Sequence, residues 1–235
     1  NNEILVLGGN RASKTEWAAK RVVQTLVNME NARVWCLHTT NQSSIQMQQP
    51  VIHKYLPSEF KELRKNKIQN VSYTQKNGFS DNTFILPNKS QCIFMNYAQK
   101  RDVIEGGEVD LIWCDELVPL DWIETLRYRI VTRSGKLIVT FTPITGYSPV
   151  VKEYVSGATI IESKPSPLLP DNINVMGCPR GTMPYKAKSY VRPAGVMWFH
   201  SELNPYNPFE QLKKTLLGKK PYEIKIRAYG WADNI

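Results

Sequence analysis

Apolar and polar residues fall along the chain in short blocks, and the blocks predict strands alternating with helices. Ile4 to Leu7 is an uninterrupted apolar run that, with Glu3, predicts a buried first strand at Glu3–Leu7. A helix-forming stretch runs from about Lys14 to Asn28. A second strand follows at Arg33–His38, where Val, Trp and Leu interrupt polar positions. Helix alternating with strand at this spacing implies right-handed crossovers and a parallel sheet. Residues 41–70 read as helical and polar, interrupted at Pro50 and Pro57. Val71–Gln75, Thr83–Leu86 and Gln91–Asn96 read as short strands, with turns at Asn77-Gly78 and Pro87-Asn88-Lys89, which predicts an antiparallel insertion at the sheet edge.

After Gly106-Gly107, Val109 to Cys114 is a continuous apolar strand apart from Asp110, and it ends in Asp115-Glu116. Lys136 to Phe141 is another buried strand and runs into Thr142-Pro143-Ile144-Thr145-Gly146. Residues 151–200 are rich in Pro, Gly and Lys, with strand signals at Thr159–Glu162 and Val196–Phe199 that would extend the sheet. Asn204-Pro205 opens a helix of roughly Pro208 to Leu217, ended by Gly218, and a second helix from Tyr222 to Tyr229 closes at Gly230. The expected division is a core at residues 1–200 and a small helical subdomain at 201–235.

Composition narrows the class. A chain of 235 residues with 42% hydrophobic and 22% charged residues is long enough to bury a sizeable core and ordinary for a soluble globular protein. No apolar run approaches the ~20 residues that span a bilayer, so no membrane association is expected. Four cysteines (Cys36, Cys92, Cys114, Cys178) lack metal-ligand spacing with one another or with His38, His53 and His200. They read as buried reduced thiols, not as a zinc site. The net charge of +9 is concentrated at Lys61 to Lys67, at Arg127, Arg129 and Arg133, at Arg180 to Arg192, and at Lys213 to Arg227. Any one cluster serves as solvated surface, while their sum favours a polyanionic partner.

The first strand runs into Gly8-Gly9-Asn10-Arg11-Ala12-Ser13-Lys14-Thr15, directly before the first helix. Strand, glycine-rich turn and helix in that order make a phosphate-binding loop: backbone N–H groups converge on an anion, and Lys14 and Thr15 complete the cradle. Ser13 stands where the usual G-x-x-x-x-G-K-[ST] pattern has its second glycine. At the end of a buried parallel strand Asp115 and Glu116 would emerge into the crevice where ligands bind. Asp115 would then hold magnesium with Thr15, and Glu116 would orient or deprotonate an attacking water. An acidic helix N-cap would read the same way. Thr142, with Thr140 in the strand before it, stands at a third strand end where a hydroxyl can sense a γ-phosphate. A plain Pro/Gly turn is the alternative there. The expected fold class is α/β: a P-loop NTPase (ASCE/RecA-like), with a mostly parallel sheet flanked by helices, an antiparallel edge insertion and a small C-terminal helical subdomain, which reads as a lid only through the family resemblance of the whole set of segments.

These segments, with Asp-Leu-Ile-Trp-Cys-Asp-Glu, the Trp122 to Arg129 stretch and Val-Thr-Phe-Thr-Pro-Ile-Thr-Gly in this order, resemble the ATPase domain of large terminase subunits, the DNA-packaging motors of tailed bacteriophages. The hairpin before Gly106-Gly107 and the tail from Asn204-Pro205 to Gly230-Trp231 resemble it too. The resemblance implies that Gly8 to Glu16 bind ATP, with Lys14 on the β- and γ-phosphates, and that Thr15 and Asp115 hold Mg2+. It implies that Glu116 acts on the hydrolytic water and Arg11 contacts the γ-phosphate as a switch. Thr142 and Thr140 would couple hydrolysis to movement. Arg127 and Arg129 lie where a finger reaching a neighbouring subunit could originate, although a helix-face pairing with Glu124 or Asp121 would use the same spacing.

The implied partners are double-stranded DNA, a portal protein and a small terminase subunit, with a homo-oligomeric ring on the procapsid in the host cytoplasm. The abrupt start at Asn1 reads as an excised fragment without the segment that supplies adenine contacts. The end at Ile235 leaves no room for the family's nuclease domain. Two other readings fit the same motifs: a superfamily 1 or 2 helicase fragment, and a non-catalytic, nucleotide-regulated DNA-binding module.

Overall fold

The computed structural model describes residues 2–61, 71–145, 148–155, 159–161 and 194–231. In chain order the first half contains β1 (Glu3–Gly8), α1 (Lys14–Asn28), β2 (Arg33–His38), α2 (Asn41–Ser43), α3 (Gln49–Tyr55), α4 (Ser58–Lys61), β3 (Tyr73–Thr74), β4 (Gly78–Phe79), β5 (Thr83–Ile85) and β6 (Gln91–Asn96). Then come β7 (Leu111–Asp115), α5 (Leu120–Val131), β8 (Lys136–Phe141), α6 (Pro149–Val155), β9 (Thr159–Ile161), β10 (Ala194–Phe199), α7 (Phe209–Leu216) and α8 (Pro221–Ile224). A π-helical turn at Lys225–Tyr229 continues α8. The chain divides into two compact units: Glu3–Lys14 with the chain from Thr140 onward, and Thr15–Val139.

In the Thr15–Val139 unit the strand order is β5-β6-β2-β7-β8. β2 runs parallel to β6 and to β7, with His38 opposite Asn96 and Leu37 opposite Cys114. The apolar runs are continuous because both faces of these strands are covered. Helix α1 presents Ala18, Ala19, Val22, Val23 and Leu26, a face at three- and four-residue spacing, to a core with Val34, Cys36, Trp113 and Ile138. Burying each larger aliphatic side chain of this set stabilises by about 1.5–3 kcal/mol. Asp110, the polar break in the β7 run, accepts the Arg33 N–H at 2.7 Å and the Arg133 guanidinium at 2.9 Å.

The expected antiparallel edge is β5, which pairs antiparallel with β6. The expected strand at residues 71–75 shrinks to β3, which pairs with β4 in a separate two-stranded ribbon. There Phe79 packs on Phe84 and Phe94 at ring separations of 4.5 and 5.3 Å, and buried Gln49 accepts the Phe79 N–H at 2.8 Å. That side-chain bond takes up a backbone group that a longer ladder would use.

In the other unit the order is β8-β1-β10-β9, β8 contributing its last residues Thr140 and Phe141. β1 and β10 are parallel from Glu3 opposite Ala194 to Gly8 opposite Phe199, and β10 is parallel to β9. Both strand signals after residue 150 therefore extend the sheet. Helix α6 went unread in the sequence, although Pro149 at its first position is a favourable start. The two C-terminal helices gather Leu216, Ile224, Ala228 and Tyr229 under Phe209, Leu212 and Trp231. Gly230 closes the π-helical turn at φ +70°, donating its N–H to the Ile226 carbonyl at 3.0 Å.

No helix among the described residues is long and apolar enough to cross a membrane. Cys36, Cys92 and Cys114 are buried free thiols, and burial pushes the Cys114 thiol up to about 12. Cys178, the basic run 180–192, residues 62–67 of the first basic run, Gly146 and Glu162 lie outside the described residues.

Candidate functional site

The chain leaves β1 at Gly8 and enters α1 at Lys14, and the turn between them is fastened on two sides. On one side Lys14, only 9% exposed, donates its ammonium to the Gly9 carbonyl at 2.9 Å and to Thr142 Oγ1 at 3.0 Å. Thr142 in turn donates to the Gly8 carbonyl at 2.9 Å. The third expected motif thus touches the lysine of the first directly. Thr140, two residues earlier on the same face of β8, is fully buried.

On the other side the turn is bound by the segment that follows β10. Gly9 donates its N–H to the Phe199 carbonyl at 3.0 Å, and Asn10 donates to the Arg227 carbonyl at 2.6 Å. Ser201 donates its hydroxyl to the Asn10 carbonyl at 2.5 Å. Asn204 and Asn207 donate their amides to the Arg11 carbonyl at 2.7 and 3.2 Å. Space is equally committed. A Cβ on Gly8 would stand 2.7 Å from the Phe199 carbonyl, one on Gly9 would strike Ser201 and the Ala228 backbone, and one on Gly230 would strike the Gly8 backbone.

With the carbonyls of Gly8 to Arg11 all taken by hydrogen bonds, the loop leads into the first turn of α1. Helical N–H groups there have no acceptor of their own helix and carry the positive end of its dipole. Arg11 and Ser13 have φ of +57° and +68°. Ser13 therefore adopts the left-handed backbone that the glycine of the usual pattern supplies at no steric cost. Ala12 is buried, and Asn10 and Arg11 are exposed.

A second cluster forms at the carboxyl end of β7. Asp115, 3% exposed, accepts the Thr15 hydroxyl on Oδ2 at 3.4 Å and the Glu116 N–H on Oδ1 at 3.3 Å, while Tyr97 donates its hydroxyl to the Asp115 carbonyl at 3.2 Å. Burial pushes the Tyr97 phenol well above its ordinary range. His38 Nε2 lies 3.8 Å from Asp115 Oδ2. Thr39 donates its N–H to His38 Nδ1 at 2.8 Å, so the ring proton of neutral His38 sits on Nε2, facing the carboxylate. Burial lowers the His38 pKa against the opposing pull of Glu116, and the pair is a neutral imidazole beside a carboxylate, not an ion pair. Glu116 itself is exposed and held at φ +65°.

The remaining expected residues lie as follows. Glu16 receives the Tyr55 hydroxyl and the Lys54 ammonium, the latter at 3.1 Å. Burial works to raise its pKa, but Tyr55 and Lys54 outweigh that and leave it lowered. Arg127 and Arg129 are half-buried on α5, and Asp121 is paired with Arg101 at 3.5 Å. Sequence reasoning missed His38, Tyr97, Ser201, Asn204 and Asn207. For His38 a signal existed, since it ends a strand as Asp115 does. For the others no spacing marks which loop they meet.

The donor sets suit a nucleotide. The glycines let the loop pack directly on Phe199, Ser201 and Ala228, Lys14 holds an ammonium against the loop, and separately Thr15 and Asp115 present two hard oxygen atoms of the kind that magnesium takes. Among the described residues no group of three or more His, Cys, Asp or Glu side chains is placed to hold a metal ion by protein ligands alone.

No protein-family model and no curated protein sequence matches the chain. Solved structures do. The chain is similar to the large terminase ATPase domain of Thermus phage P74-26, at 13% identity over 97% of this chain and 87% of that one, with a TM-score of 0.62. A mutant of that domain gives 14% identity, 100% and 89% coverage, and a TM-score of 0.65. A large terminase from a thermophilic bacteriophage gives 11% identity and a TM-score of 0.61, this chain covering 48% of its length. The chain spans about half of that larger protein. Identities this low establish likeness of architecture: the chain has the α/β P-loop NTPase fold seen in large terminase ATPase domains.

Proposed function

We propose that the chain is a magnesium-dependent ATPase whose turnover drives double-stranded DNA into a viral procapsid. The observation that carries this reading is the approach of Thr15 Oγ1 to Asp115 Oδ2, 3.4 Å apart across the intervening sequence, at the end of a glycine-rich loop. Lys14 and Thr15 share a peptide bond, so the group that the loop cradles is within reach of the residues that would hold the cation.

Gly8 to Thr15 bind the phosphates through backbone N–H groups, Lys14 neutralises the β- and γ-phosphates, and Arg11 stabilises charge on the γ-phosphoryl oxygens. Thr15 and Asp115 would hold magnesium, which when bound would supply charge neutralisation at the phosphate oxygens. The neutral His38 ring lies beside the Asp115 carboxylate, while the Thr15 hydroxyl and the Glu116 N–H hold its two oxygens. Glu116 accepts a proton from, or orients, the attacking water, and its exposure leaves its carboxylate within reach of solvent. The Lys14 ammonium that would meet a γ-phosphate already bonds Thr142, so Thr142 and the β8 strand behind it are placed to register nucleotide state. The ATPase activity named for the structural neighbours agrees with this assignment of parts.

In the same reading residues 1–200 form the motor core and residues 201–235 a lid. Arg127 or Arg129 supplies a finger to a neighbour in a ring docked on the portal, with the small terminase subunit delivering DNA in the host cytoplasm. Steady-state ATP hydrolysis by Lys14→Ala and Glu116→Ala variants, each verified as folded by circular dichroism, tests the assignment. Both should lose turnover. Full activity in either overturns the site.

A further inference from the structure

We infer that Asn204 and Asn207 are positioning residues that fix the Arg11 peptide, and through it the direction of the Arg11 side chain toward the phosphates. The inference rests on the proposed role of Arg11 and goes beyond it, because it assigns control of that residue to the segment leading into α7.

The amide orientations are settled by their surroundings. Asn204 Oδ1 accepts the Tyr206 N–H at 3.1 Å, so its NH2 group faces the Arg11 carbonyl. Both partners of Asn207 Nδ2 are carbonyl oxygens, those of Arg11 and of Ser201 at 2.8 Å, so only an NH2 group satisfies them. Two donors therefore fill both lone pairs of one carbonyl. Ser201 joins the set through its hydroxyl bond to the Asn10 carbonyl, so consecutive loop carbonyls are held by one turn of chain.

This hold is needed because Arg11 has a φ of +57°. A residue with a Cβ is disfavoured there and persists only where its surroundings over-determine it. Without the two amides the Arg11 carbonyl is released, the residue can turn about both its N–Cα and Cα–C bonds to leave the left-handed region, and that turn carries the guanidinium elsewhere. A side chain displaced by about 1 Å is enough to cost a transfer step ~100-fold.

The test uses the full chain carrying Asn204→Ala with Asn207→Ala, in native and Arg11→Ala backgrounds, and two readouts. Trypsin cleaves after Arg11, so cleavage at Arg11–Ala12, scored by mass spectrometry against other exposed sites, reports the hold without any need for activity. It should rise about tenfold or more, as local opening controls cleavage. For ATP turnover, the double variant should lower kcat by about tenfold or more with little change in KM, the pattern of a lost transition-state contact. In the Arg11→Ala background the same pair should lower kcat no more than about twofold further, since residues acting as a unit are non-additive. Unchanged cleavage at Arg11–Ala12, or equal losses of kcat in both backgrounds, overturns the inference and leaves the ATPase reading standing. Absence of turnover in the native chain, or full activity of Arg11→Ala, overturns the proposed role of Arg11 and the catalytic part of the inference with it, while the cleavage rate still decides whether the hold exists.

Discussion

Ser13, Arg11 and Glu116 all carry side chains at positive φ, and all three belong to the loop or to the acids. Such positions cost of order 1–3 kcal/mol each, and they cluster where a backbone group or side chain must point somewhere unusual. At Ser13 the cost has a simple remedy. Ser13→Gly should keep nucleotide affinity and raise unfolding stability by about 1 kcal/mol, read from the urea midpoint, because the left-handed backbone then suits the residue. Gly9→Ala should do the opposite, lowering stability by at least ~2 kcal/mol, since its methyl meets Ser201 and the Ala228 backbone. The loop, the acid pair and Thr142 were legible in the sequence because each combines an unusual composition with a strand end. His38, Asn204 and Asn207 were not, because a lone histidine or asparagine acquires meaning only from the partner the fold brings to it.

At the scale of elements, the parallel strands and α1 were readable from hydrophobic runs, since burial on both faces of a strand leaves a long apolar signature. The short ribbon β3–β4 was not, because its pairing is set by Gln49 and by the stack of His53 on Tyr73, with ring centroids 4.0 Å apart, and neither contact is local in sequence. That stack has a pH consequence. Burial, with Lys61 adding to it, lowers the His53 pKa below its ordinary 6.5. A depressed folded value means that the unfolded chain binds the proton more readily. The contribution is present above the unfolded value and is lost as pH falls from there through the folded one. Urea midpoints should therefore fall between about pH 7.5 and 5.5, and His53→Phe should flatten part of that slope. In the C-terminal element Gly230→Ala should be strongly destabilising, for its φ of +70° and its approach to the Gly8 backbone act together.

For the whole molecule, the α/β fold class follows from the sequence reading and the solved neighbours share that fold, whereas the order of strands within the sheet was not read from the sequence. The excess of positive charge was also visible, but which lysines stay exposed was not, since exposure depends on which helix face is buried. Lys213, Lys214, Lys219 and Lys220 are all exposed around α7, whose apolar side is taken by Leu216 and Leu212. If they contact DNA phosphates, replacing all four with alanine should reduce the slope of log affinity against log salt by roughly 3–4, at about 0.9 per phosphate contact, in anisotropy titrations with duplex DNA. An unchanged slope assigns the polyanion surface to other basic residues. The central claim is that one site binds and hydrolyses magnesium ATP, and the Glu116→Gln variant tests it most directly, with nucleotide affinity and turnover measured on the same sample. The account predicts native-like ATP binding with turnover reduced about 10²–10⁴-fold, the range of a lost general base. Turnover at the native rate in that folded variant would contradict it.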